Sequence, residues 1–130
     1  MIWQRLTIPP VDGEVPFGTH VVLDIRGCDR QAINDYDALN RWVTGLVRRI
    51  GMTPFGEPRI PHFGHSNPVT SGYSVDQLLE ESNIMAHLSP HTGSAFADIF
   101  SCGEFDPDDA ASFTVAHLGG THGRMIVIAR

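Results

Sequence analysis

The chain has no apolar run approaching the ~18 residues that a membrane-crossing helix needs, and no cluster of cations beyond the single adjacent pair Arg48–Arg49. Nine basic residues against 15 acidic ones leave a formal charge of −6. A nucleic-acid surface needs clustered cations to displace phosphate counterions, so that class of partner is excluded. Cysteine is scarce: only Cys28 and Cys102 are present, too few for a disulfide framework. The opening MIWQRLTIPPVDGEVPFG has no basic patch followed by an apolar stretch, and so lacks the pattern of a secretory leader. A cytoplasmic protein with no membrane association is expected, its two thiols free in a reducing compartment.

What is present is one domain's worth of chain: 130 residues, 42% hydrophobic. Residues 1–18 carry Pro9, Pro10, Gly13, Pro16 and Gly18 and read as an extended arm, regular structure beginning after it. HVVLDIR, His20 to Arg26, is a β-branched run closed by Gly27, the pattern of a buried strand. Leu39, Trp42, Val43, Leu46, Val47 and Ile50 recur at helical spacing, with acidic residues ahead, Arg48 and Arg49 at the end and Gly51 as a stop. Prolines 54, 58, 61 and 68 leave room only for an edge strand near Arg59 to Phe63.

Alternation over Gly72 to Glu81 favours a strand, with two more at Asn83 to Leu88 and Ser94 to Phe100 around a Ser-Pro-His-Thr-Gly turn. Asp106 and Pro107 supply an N-cap and first position for a helix ending at Gly119–Gly120, and RMIVIAR forms a last strand. This order predicts an α+β fold: a two-layer sandwich, mainly an antiparallel sheet with helices on one face.

Seven histidines invite a metal, through His62-x2-His65 or His87-x3-His91. Neither spacing matches a zinc pattern, and Pro90 breaks the helix the second would need, so no metal is expected. His87 and Cys102 could form a nucleophilic pair in which the imidazole favours the thiolate, or Cys102 could be a packed strand thiol.

One stretch joins these residues to others. In EESNIMAHLSPHTGSAFADIFSCGEFDP, the step Glu81–Ser82 is followed by His87 five residues after the serine, by Asp98-Ile99-Phe100, and by Cys102-Gly103 with the thiol twenty residues after the serine. This pattern resembles the core of bacterial S-adenosylmethionine decarboxylases. HVVLDIRGCD is similar to that family's first strand, and Gly72-Tyr73-Ser74 lies where the family has Gly-x-Ser.

The resemblance implies a proenzyme that cuts itself between Glu81 and Ser82 and converts Ser82 into a covalent pyruvoyl cofactor. It assigns Ser74 to the acyl shift, His87 to removal of the Cα proton and Cys102 to proton donation to product. It also implies a homodimer of cleaved protomers acting in polyamine biosynthesis on a small amino-acid-type substrate, S-adenosylmethionine by default. Where the family carries Thr-Trp-Pro-Glu after the histidine to hold adenosine, this chain has Leu88-Ser89-Pro90-His91. Serine cannot stack on adenine, and an imidazole cannot accept two ribose hydroxyls as a carboxylate can. Phe63, Ser89 and His91 are the substrate-contact candidates. The substrate alternatives are L-ornithine and L-arginine; a non-cleaving regulatory homologue is the reading outside enzymology.

Overall fold

The computed structural model describes residues 2–130. Seven strands form one sheet in the order β1-β7-β2-β6-β5-β4-β3. They are β1 (Ile2–Ile8), β2 (Thr19–Arg26), β3 (His62–Phe63), β4 (Gly72–Leu79), β5 (Ser82–Ser89), β6 (Ser94–Ser101) and β7 (His122–Ala129). Two α-helices, α1 (Tyr36–Arg49) and α2 (Pro107–Leu118), and a 3-10 turn at Ala32–Asn34 complete the described fold. Every strand pair is antiparallel except β1 with β7. The α+β sandwich read from the sequence is the architecture observed.

The arm is the correction. Its first half is strand β1, paired in parallel with β7 from Ile2↔His122 to Ile8↔Ile128. The prolines and glycines that argued against structure all fall in residues 9–18, leaving IWQRLTI free to add to the sheet edge. Met1 lies outside the described residues.

Both helices begin where capping chemistry puts them. Asp35 accepts from the Asp37 and Ala38 amides, and Asp106 from those of Asp108 and Asp109, each satisfying donors the helix leaves unpaired. The helix α1 turns Leu39, Trp42, Val43, Leu46 and Val47 inward. These meet Val21, Leu23 and Ile25 of β2, Ala95, Ala97 and Ile99 of β6, and Ile84, Ala86 and Leu88 of β5 in one core. Each large side chain fully buried there contributes about 1.5–3 kcal/mol relative to exposure. The helices are tied to each other by the Trp42 indole, which donates from Nε1 to Thr114 Oγ1 at 3.1 Å with both residues fully buried.

Among the described residues no helix lies over the opposite face of the sheet. Leu6 (51% exposed), Leu78 (50%), Met85 (44%) and Phe96 (38%) lie there, and the register places Ser74, His87 and Phe96 in one row across it. Because strand side chains alternate, the apolar inner set dictates that His87 and Ser74 point outward.

Thr114→Val keeps the shape of the helix contact but strands the Trp42 indole N–H, and should lower the urea unfolding free energy by about 1–3 kcal/mol. An unchanged unfolding free energy would mean that the indole finds another partner.

Candidate active site

The hairpin of β4 and β5 positions Ser74, the Glu81–Ser82 step and His87. Its strands are joined through Glu80 and Glu81, with Leu79 opposite Ser82. Tight two-residue links favour glycine or asparagine because they require positive φ. Neither is present here, and the unusual backbone falls on Ser82, whose φ of 154° is the one positive value at a non-glycine among the described residues. L-residues rarely adopt such a value, and holding one costs on the order of 1–3 kcal/mol.

The peptide bond before Ser82 is gripped from two sides. The Cys102 backbone N–H donates to the Glu81 carbonyl oxygen at 3.1 Å. A donor aimed at that oxygen stabilises negative charge developing there when the carbonyl carbon is attacked. The Glu81 carboxylate accepts from the Thr53 amide at 3.0 Å, and the Thr53 carbonyl accepts from the Glu80 amide at 2.9 Å. Beneath them the buried Ser101, paired with Ser82, donates to Met52 Sδ at 3.1 Å and accepts from the Gly103 amide at 3.0 Å. The loop after α1 therefore clamps the hairpin tip and the Ser101–Gly103 turn together.

At the far end of the hairpin, Ser74 and His87 face each other in register, with Ser74 Oγ 2.8 Å from His87 Nδ1. The other ring nitrogen, Nε2, donates to the Thr70 carbonyl at 3.0 Å. Five residues of extended strand separate Ser82 from His87, about 17 Å. The two also have opposite parity on β5. Within one protomer the structure brings Ser74 to His87, and Cys102 to the Glu81–Ser82 peptide, but does not bring the two pairs together.

The substrate-contact candidates divide. The Phe63 ring lies 6.0 Å from the His87 ring and is half exposed. His91 is exposed and lines an open cleft of about 970 Å³ with Arg30, Tyr36 and His62. Ser89 is buried, and its hydroxyl is spent on the Val69 carbonyl at 2.7 Å. His62 and His65 stack at 4.8 Å, yet among the described residues no three His, Cys, Asp or Glu side chains converge as metal ligands. Thr53, Met52 and Thr70 escaped the sequence reading. They lie in the proline-rich segment between α1 and β4, where no periodicity announces a contact.

The two thiols differ. Cys102 is exposed beside the motif. Cys28 is buried, and desolvation pushes its thiol up to about 11 despite the opposing pull of Arg26.

Comparisons with known proteins give the family and the fold. A family model described as S-adenosylmethionine decarboxylase matches residues 19–130. The S-adenosylmethionine decarboxylase proenzyme of Bacillus velezensis is 30% identical over 113 residues, covering 87% of this chain and 85% of that protein. That of Geobacillus kaustophilus is 29% identical, covering 87% and 86%. In fold, the chain is similar to the crystal structure of the adenosylmethionine decarboxylase from Aquifex aeolicus VF5, with a TM-score of 0.75 and 23% identity over 90% of this chain and 92% of that one. Among the described residues no helix is long and apolar enough to cross a membrane.

A thiol reagent at pH 8 should label one cysteine per chain rapidly and the second only on unfolding, because Cys28 stays protonated and buried at that pH. Cys102→Ser should abolish the rapid phase; a rapid phase surviving that change would show Cys28 to be accessible.

Proposed function

We propose that this chain, which belongs to the S-adenosylmethionine decarboxylase family, is a pyruvoyl-dependent decarboxylase that makes its own cofactor by cleavage between Glu81 and Ser82. The observation that carries the reading is the Glu81–Ser82 peptide, with its positive φ at Ser82 and the Cys102 N–H on the Glu81 carbonyl. The Ser82 hydroxyl adds to the Glu81 carbonyl carbon. The C–N bond then breaks, freeing the Ser82 amine and leaving Glu81 as an ester on Oγ. Loss of the Ser82 Cα proton expels the Glu81 carboxylate, and water hydrolyses the resulting dehydroalanine to a pyruvoyl group and ammonia. Backbone strain at Ser82 raises the starting state, and the Cys102 amide lowers the oxyanion, so both accelerate the first step.

A pyruvoyl group supplies a carbonyl that takes up the substrate amine and accepts electrons as carbon dioxide leaves. Composition supports that assignment, because all nine basic residues are arginine. With no lysine, the chain cannot tether pyridoxal phosphate through a side-chain amine, the usual alternative electron sink for amino-acid decarboxylation. His87 is the base for the Cα proton, the role that histidine fills most often in general acid–base catalysis. Ser74 is its bonded partner, and Cys102 the exposed thiol beside the Ser82 end that returns a proton to product.

The distance from Ser82 to His87 requires a second protomer. Packing two uncovered sheet faces together about a two-fold axis that lies between them, perpendicular to β5 and midway between Ser82 and His87, reverses one strand over the other. The partner's Ser74–His87 pair then lies at the Ser82 end, and Leu78, Met85 and Phe96 become buried. A homodimer thus completes the site and removes the exposed apolar face.

Adenosylmethionine is the substrate named for the relatives. Ser89 and His91 favour a second reading, in which the same chemistry serves L-ornithine or L-arginine. Ser89 is buried and bonded away from any ligand, and His91 offers no carboxylate for a ribose. Carbon dioxide release from the three substrates, measured on one preparation, decides between them.

Ser82→Ala should give one uncut chain by intact mass and no carbon dioxide release; activity in that variant would end the pyruvoyl reading. Co-expressing Ser82→Ala with His87→Ala should restore a pyruvoyl-terminated fragment from the His87→Ala chain, each variant alone giving none. Failure of the mixture, with mixed dimers verified, would place the whole site within one protomer.

A further inference from the structure

We propose that Ser89 is a positioning residue for His87, acting through the Val69–Thr70 backbone and never touching substrate. Its catalytic consequence rests on the decarboxylase reading above; its structural content does not.

A carbonyl oxygen has no proton to give. The 3.0 Å bond between His87 Nε2 and the Thr70 oxygen therefore requires the proton on Nε2. In the neutral ring Nδ1 is then bare and accepts from the Ser74 hydroxyl at 2.8 Å. The Thr70 carbonyl thus selects one tautomer, leaves Nδ1 as the only nitrogen able to receive a proton, and makes Ser74 the group through which that nitrogen communicates with the open sheet face.

That carbonyl belongs to a segment, residues 64–71, with neither helix nor strand. Most of its internal order comes from Asn67, whose side chain accepts from the Val69 amide at 3.0 Å and whose carbonyl accepts from the Thr70 and Ser71 amides at 3.1 and 3.0 Å. Gly64, at φ 82°, closes the turn; a Cβ there would sit 2.5 Å from the Thr70 oxygen. These contacts shape the loop but do not aim it at β5.

Ser89 does. It is 3% exposed, its hydroxyl donates to the Val69 carbonyl at 2.7 Å, and it accepts from Thr92 Oγ1 at 2.9 Å. His87 and Ser89 stand two apart on β5, so alternate residues of one strand hold two consecutive carbonyls of the loop. Releasing Val69 frees the neighbouring Thr70 oxygen to drift, and with it the imidazole.

The test is nitrogen-15 NMR of the histidines in the full-length chain, with His87 assigned by its loss in His87→Gln. Wild type should show His87 as the single Nε2–H tautomer with a slowly exchanging ring proton. Ser89→Ala should give mixed tautomers and fast exchange. Pyruvoyl formation and kcat should fall on the order of ten- to a hundredfold with KM unchanged, as expected when a reacting group is mis-set by about an ångström. Thr92→Val should move the same readouts in the same direction and Thr92→Ser should not; this exposed pair decides the matter if Ser89→Ala does not fold. An unaltered tautomer and unaltered rates in Ser89→Ala, or a change confined to KM, would overturn the proposal. A tautomer shift in a protein whose wild type neither cleaves nor releases carbon dioxide would uphold the positioning role and sink the decarboxylase reading instead.

Discussion

The register between β4, β5 and β6 is the constraint on which the rest depends. Pairing Ser74 with His87, Leu79 with Ser82 and Ser82 with Ser101 puts the Ser74 hydroxyl on an imidazole and the Cys102 amide on the carbonyl ahead of Ser82. A slip of one residue would turn Ile84, Ala86 and Leu88 to the uncovered face and drive Met85 and His87 into the core. The hydrophobic cost of exposing three core side chains, about 1.5–3 kcal/mol for a large one, makes the site's geometry a by-product of core burial.

Stability and chemistry meet at the hairpin tip. A link made of two glutamates cannot relax into the left-handed conformations that tight turns favour, and the departure from normal backbone geometry is transferred to Ser82. The surroundings hold it there: Thr53 bonds both glutamates, and Met52 supports Ser101. Regular structure on both sides over-determines a peptide that would otherwise relax.

The open sheet face reconciles two features that look separate in one protomer. Apolar side chains stand exposed there, and Ser82 and His87 stand at opposite ends of one strand. The proposed two-fold packing accounts for both, because strand reversal is what exchanges the two ends of β5. The divergence at Ser89 and His91 fits the same picture: Ser89 has become part of the scaffold around His87, while His91 remains free at a cleft beside Arg30 and Tyr36.

Much was legible in the sequence where information is local. Helical spacing from Leu39 to Ile50, the Asp35 and Asp106 caps and the alternation in the last strands depend on a residue and its near neighbours, and these elements lie where expected. The motif from Glu81 to Cys102 likewise carried the resemblance to the family, since spacing along the chain survives folding unchanged. Strand β1 was hidden because proline and glycine in residues 9–18 masked a pairing partner over a hundred residues away. Only the tertiary structure decided that Cys102 serves the Glu81 carbonyl with its backbone, that Thr70 fixes the His87 proton, and that Ser82 and His87 do not meet within one protomer. Each is set by strand register and loop path, which join residues distant in sequence and leave no periodic trace in it.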